Sequence, residues 1–132
     1  MIYCNGKIIK SDKPSINKEE QIMIQIQAFL QGAVYAFCNL KGSEEFRLKD
    51  LVGKRNFFWQ ETPLIHLYEK YKNSNNLQDF PNAVNKAGYE AGCILYEVLK
   101  QDKRTFFIRK QDDSEYKGNV YKWDGKEVSP KD

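Results

Sequence analysis

Residues 81–110 read PNAVNKAGYEAGCILYEVLKQDKRTFFIRK, and this stretch decides the fold. Val84, Ala87, Ala91, Ile94, Leu95 and Val98 recur at helical spacing, and Pro81 suits a first turn, where no amide hydrogen is needed. A helix over about 81–101 is therefore predicted. Gly88 and Gly92 lie one turn apart beside Ala87 and Ala91. Small residues at that spacing let another helix approach closely, which offsets a propensity cost of about 1 kcal/mol each. Beyond Asp102 the period changes from 3.6 to 2: Phe106 and Ile108 fall on one face, Phe107 and Arg109 on the other, as in a strand over 105–110. A polar, acidic loop is expected from Gln111 to Lys117, then a second strand from Asn119 to Trp123. Asp124-Gly125 favours a further hairpin turn returning through Lys126, Glu127 and Val128.

Working outward, residues 18–40 predict a long helix. Ile22, Ile26, Phe29, Ala33 and Phe37 form its apolar stripe, and Met23, Leu30, Val34 and Cys38 widen it. So broad a stripe implies a helix central to the core. Asn17 suits the N-cap with Glu20 three residues on, and Gly42 suits the C-terminal stop. Residues 43–55 hold a short element with Phe46, Leu48, Leu51 and Val52 as apolar contacts, ended by Gly53. Thr62-Pro63 supplies a hydroxyl cap and a first-turn proline for a helix over about 63–72. Asn73 to Asp79 reads as a polar loop. At the other end, Asn5-Gly6 between Ile2-Tyr3-Cys4 and Lys7-Ile8-Ile9 signals a β-hairpin. The fold class is thus α+β in a single domain, 1–132. It comprises an N-terminal hairpin at 1–10, a helical core at 18–101 and a C-terminal β region at 104–129.

Composition narrows the function classes. With 132 residues the chain can bury a full core without a disulfide or metal. Its aromatic content of 14% argues against disorder. A mean hydropathy of −0.70 and the lack of a long apolar run argue against a membrane span. Met1 leads into Ile2, Tyr3 and Cys4 with no basic stretch ahead of an apolar one, so no secretory signal is expected. Cys4, Cys38 and Cys93 are odd in number and widely spaced, which fits reduced thiols and a cytoplasmic location. The net charge of +3 is too small to name a partner, so any electrostatic case rests on clustering.

Catalytic and metal chemistry find little support. The lone histidine, His66, lies inside a predicted helix, with no Cys or carboxylate at a zinc-ligand spacing. Cys38 and Cys93 sit among apolar helical residues and read as inert core thiols. Glu19-Glu20 suits a helix first turn; Glu44-Glu45 and Asp112-Asp113 read as solvated loops. Glu97, Asp102 and Lys103 do not assemble a nuclease-type site, and no Gly-rich phosphate loop is present. No enzyme, cofactor or metal site is expected.

The element order resembles a winged-helix domain, a helix-turn-helix variant whose C-terminal hairpin is the wing. The residues that carry the resemblance are Phe46-Arg47-Leu48-Lys49-Asp50-Leu51, Pro63-Leu64 to Leu67-Tyr68, Ala87-Gly88 to Val98-Leu99, Asp102 to Phe106, and Tyr121-Lys122-Trp123. The same run is similar to small uncharacterised phage and prophage proteins. It departs from the pattern in its long Lys54–Thr62 connection and its extra N-terminal hairpin. The resemblance implies non-enzymatic binding of double-stranded DNA. Asn82, Asn85, Lys86 and Tyr89 of the 81–101 helix would meet base edges, and Lys103, Arg104, Arg109, Lys110 and Lys117 the backbone. Asp112, Asp113 and Glu115 at the wing tip work against it. The competing reading is a phage-type accessory, inhibitor or assembly protein that binds a protein or itself. Phe57, Phe58 and Trp59, flanked by Lys54 and Arg55, would then be either an exposed anchor or a cap on the core.

Overall fold

The computed structural model of the chain describes residues 2–4, 6–9, 18–53, 59–73 and 80–129. Among them the α+β expectation holds. Two short strands, β1 (Ile2–Cys4) and β2 (Lys7–Ile9), pair antiparallel around Gly6, whose φ of 76° is the left-handed conformation the turn requires. They form a sheet of their own and do not join the C-terminal one.

Helix α1 (Lys18–Lys41) places Ile26, Leu30, Val34 and Cys38, each one turn apart, in the core. Gly42 ends it with φ 64°, its amide donating to the Cys38 carbonyl at 2.9 Å. Asn17, the expected N-cap, lies outside the described residues. The helix is not enclosed as its broad stripe implied: Ile24, Tyr35 and Leu40 are exposed. Nothing in the spacing of apolar residues states how many sides of a helix acquire a neighbour.

A two-residue strand, β3 (Glu45–Phe46), leads into α2 (Leu48–Val52), whose start is held by the Arg47 amide donating to Asp50 Oδ2 at 2.9 Å. The Thr62-Pro63 signal is used as expected, although α3 (Ile65–Lys72) begins later than residue 63. The Leu64 amide donates to Thr62 Oγ1 at 3.2 Å, and the first turn closes through i→i+3 bonds before the α-helix proper begins. Helix α4 (Phe80–Gln101) packs on both α3 and α1. Ala83, Ala87 and Ala91, all fully buried, are the small residues that permit that approach. Gly88 and Gly92 are not: a Cβ at either would meet nothing within 4 Å. Lys70 Nζ reaches Glu90 at 3.1 Å, which ties α3 to α4 and raises the lysine's pKa.

Strands β4 (Phe106–Asp112) and β5 (Lys117–Trp123) form the C-terminal hairpin, and β3 adds to the free edge of β5, giving an antiparallel sheet of order β3-β5-β4. The strands run further than the sequence suggested, so the connection shrinks to 113–116. Asp113 organises it by accepting the Glu115 and Tyr116 amides on Oδ1 and Gln111 Nε2 on Oδ2. The expected return strand through Lys126–Val128 does not form. Gly125 does turn, at φ 81°, but β3 occupies the edge of β5 that a return strand would need.

Phe46 seats the sheet on the helices. It is fully buried, with ring centroids 5.1 Å from Phe37, 5.8 Å from Tyr121 and 6.1 Å from Phe106. Among the described residues, no helix is long and apolar enough to cross a membrane.

Candidate functional site

Helix α4 is amphipathic in a way that leaves one long face open. Its buried side carries the alanines with Ile94, Leu95, Val98 and Leu99, whereas Asn85, Lys86, Tyr89, Cys93 and Tyr96 are exposed. The alternation of the hairpin supplies the facing surface. Ile108 and Lys110 of β4 stand opposite Tyr121 and Asn119 of β5, on the face that packs toward α4. Between helix and sheet, closed at one end by α2 and Trp59, runs a groove of about 1010 Å³. Gly88 and Gly92 contribute bare backbone to its wall, where longer side chains would fill it.

The groove is aromatic and basic. Tyr89, Tyr96, Tyr116 and Tyr121 line it, with Lys49, Lys110 and Lys117 against a single acid, Glu97, which lies 3.5 Å from Lys100. The Tyr116 ring lies beneath the Arg47 guanidinium (5.6 Å) and the Lys49 ammonium (5.3 Å), and its hydroxyl donates to the Asn119 carbonyl at 3.1 Å. A Cβ at Gly118, where φ is 151°, would come within 2.9 Å of that hydroxyl, so the position requires glycine. Asn119 Nδ2 donates to Tyr121 Oη at 3.1 Å. Burial raises the pKa of both Tyr116 and Tyr121, so both rings remain neutral donors at ordinary pH.

Of the residues singled out in the sequence, Asn85, Tyr89, Lys110 and Lys117 come together in this groove, and Lys86 is exposed on α4 but not part of the groove's lining. Lys117 Nζ is 3.9 Å from Asp112, a solvated contact. The side chain of Asn82, in the first turn of α4, lies outside the described residues, as do Phe57 and Phe58.

Three assignments are corrected. Arg104 does not reach outward. Its guanidinium grips Asp102 through Nη2–Oδ2 at 2.7 Å and Nε–Oδ1 at 3.0 Å, beneath the rings of Phe106 and Trp123. Gln31 of α1 donates to the same carboxylate at 2.9 Å. This is a structural tie between α1, the end of α4 and the root of the hairpin. Burial alone would raise Asp102, but the bonds from Arg104 and Gln31 outweigh it and hold the carboxyl below its ordinary range. Arg109 projects from the opposite sheet face and hydrogen-bonds to Glu45, because neighbours on a strand point to opposite sides and Lys110 faces the groove. Trp59 is buried and caps the core rather than serving as an anchor. Lys103 is exposed beside Arg104, at a separate cavity of about 630 Å³ bounded by α1 and the end of α4.

Sequence reasoning missed Lys49, Tyr96, Tyr116 and Asn119. Tyr96 was accessible to it, seven residues from Tyr89 and so on one helix face. Lys49 was not, since only the tertiary fold brings α2 to the groove. One thiol also differs from expectation. Cys38 is buried beside Arg104, and burial pushes its pKa up, whereas Cys93 is exposed on the open face of α4. His66 lies half-exposed in α3, its Nδ1 3.9 Å from Glu69. Among the described residues no three His, Cys, Asp or Glu side chains converge as metal ligands. No family model, curated protein or solved structure matches the chain.

Proposed function

We propose that the protein is a small, non-enzymatic, cytoplasmic nucleic-acid-binding protein of winged-helix type, of the kind found in mobile elements, and that α4 and the β4–β5 hairpin grip a DNA duplex. The observation that carries this reading is the groove in which the open face of α4 and the inner face of the hairpin meet, with lysines from the hairpin and α2 and one acid, from α4. The element order α1–β3–α2–α3–α4–β4–β5, with β3 paired to β5, supports it. In this reading Asn85 meets an adenine edge, Tyr89 packs on the groove wall, and Lys49, Lys86, Lys110 and Lys117 neutralise phosphates. The acids at 112–115 keep the hairpin tip away from the backbone. The protein-interaction alternative loses its one described aromatic anchor with the burial of Trp59.

Four phosphate contacts imply a log–log salt slope near about −3.6, a loss of roughly 150-fold in affinity between 50 and 200 mM salt. Fluorescence anisotropy on a labelled duplex measures it. Lys110→Ala and Lys86→Ala should each flatten the slope by about 1, whereas Arg109→Ala, on the opposite face, should leave it unchanged. Absence of salt-sensitive retention at low ionic strength ends the reading.

A further inference from the structure

A closed duplex leaves the interior of the groove unused. At about 1010 Å³ the groove matches the upper end of small-ligand sites, about 300–1,000 Å³. A double helix, whose major groove alone is about 12 Å wide, can rest on the rim but cannot enter. Yet the interior carries chemistry of its own. Tyr89 is 75%, Tyr96 41% and Ile108 49% exposed, and all three line this groove. Large apolar side chains left open to water in one cleft mark a binding surface.

The spacing and the charge of the groove name its occupant. Tyr89 and Tyr96 stand two helical turns apart on α4, about 10.5 Å along its axis. Two stacked bases held between two rings need three intervals of about 3.4 Å, about 10 Å in all. The side chains between the tyrosines do not fill that gap: Gly92 has none, a Cβ there would meet nothing within 4 Å, and Cys93 is small. Around the rings, Lys49, Lys110 and Lys117 line the groove against Glu97 alone, and Glu97 already faces Lys100 at 3.5 Å. Lys100 Nζ lies 5.4 Å from the centre of the Tyr96 ring, and Lys49 Nζ 5.3 Å from that of Tyr116. Aromatic rings interleaved with cations are the combination that tracks a single strand. An extended proline-rich peptide, the other ligand of aromatic grooves, gives the lysines nothing to neutralise.

We infer that the groove receives unpaired nucleotides, two of them stacked between Tyr89 and Tyr96, so that the protein selects DNA in which a duplex continues into a single strand. The inference rests on the nucleic-acid reading above and adds to it. The duplex lies on the rim, and the strand that leaves it runs along α4, with Lys110 and Lys117 of the hairpin toward its phosphates.

Fluorescence anisotropy on the full chain tests it. The probes are a blunt duplex, the same duplex with a dT tail of about six nucleotides, and a dT strand of about twelve. The readout is the ratio of tailed to blunt affinity. It should be at least about tenfold, since each stacked base contributes a factor of about 5 or more. Tyr96→Ala should lower the ratio about fivefold, and Tyr96→Phe, which keeps the ring, should retain it. Arg109→Ala, on the opposite sheet face, should leave it unchanged. A wild-type ratio near one overturns this inference and leaves the duplex reading standing. A ratio that survives Tyr96→Ala, as it would if that ring were merely structural, also overturns it. Retention of the dT strand without the blunt duplex supports the single-strand assignment and overturns the duplex reading instead. Retention of none of the three probes at low salt ends both.

Discussion

Replacing Gly88 and Gly92 by alanine separates two accounts of why α4 contains them. If the glycines let a neighbouring helix approach, added methyl groups overpack the contact and cost about 1–3 kcal/mol. If they face an open groove, the methyls cost nothing in packing and α4 gains about 0.8–1 kcal/mol per site in helix propensity. Both positions lie inside the 22-residue helix, and a Cβ at either meets nothing within 4 Å, so the second sign is expected. The unfolding entropy of a 132-residue chain is about 0.28 kcal/mol per kelvin near its midpoint, so each substitution should raise Tm by about 3 °C and the pair by about 6 °C. Differential scanning calorimetry on both single variants and the double variant reads this directly. The same methyls narrow the groove, so duplex affinity should fall as stability rises, a pairing expected where a site is kept at the expense of stability. A lowered Tm for either single variant would refute the open-groove geometry.

Other expectations concern the tie at the root of the hairpin and the thiols. Asp102→Ala leaves the largely buried Arg104 guanidinium without its carboxylate and should cost about 2–4 kcal/mol in urea unfolding, whereas an exposed pair would cost under about 1. Because the folded-state pKa of Asp102 is depressed, its stabilisation is fully present above the unfolded value. It should be lost as pH falls below about 4, visible as a declining midpoint in acid titrations that Asp102→Asn flattens. Maleimide labelling followed by mass spectrometry should modify exposed Cys93 in the native protein and reach buried Cys38 only on unfolding, with bound duplex protecting Cys93.

What the sequence disclosed was local. Helix α1 ended at Gly42 and α4 where its apolar period gave way before Asp102, Thr62 capped as its hydroxyl suggested, and two of the three expected hairpins formed. What it withheld was the identity of neighbours. The strand β3 is only two residues long and gains its identity from β5, so no periodicity could reveal it, and the turn at Asp124-Gly125 seemed free to lead into a strand of its own. The same limit governs the site. Alternation alone already separated Arg109 from Lys110, but the engagement of Arg104 by an Asp102 that Gln31 also holds needed the packing of α1 against α4. Glycines one turn apart carry no mark of which side they will face.

The short pairing of β3 with β5 bears on how the chain reaches its native state. Phe46 and Tyr121 are partners 75 positions apart, and closing a loop of that length costs about 4 kcal/mol in chain entropy. A two-residue ladder offers little to set against it. Burial of Phe46 supplies roughly 2–3 kcal/mol, and its three ring contacts add more. The helical hairpin α3–α4 and the β4–β5 ribbon are built from near neighbours and can assemble early. The first half of the molecule is joined to the second late, through the packing of α1 on α4 and the ring of Phe46 rather than through the strand that carries that ring.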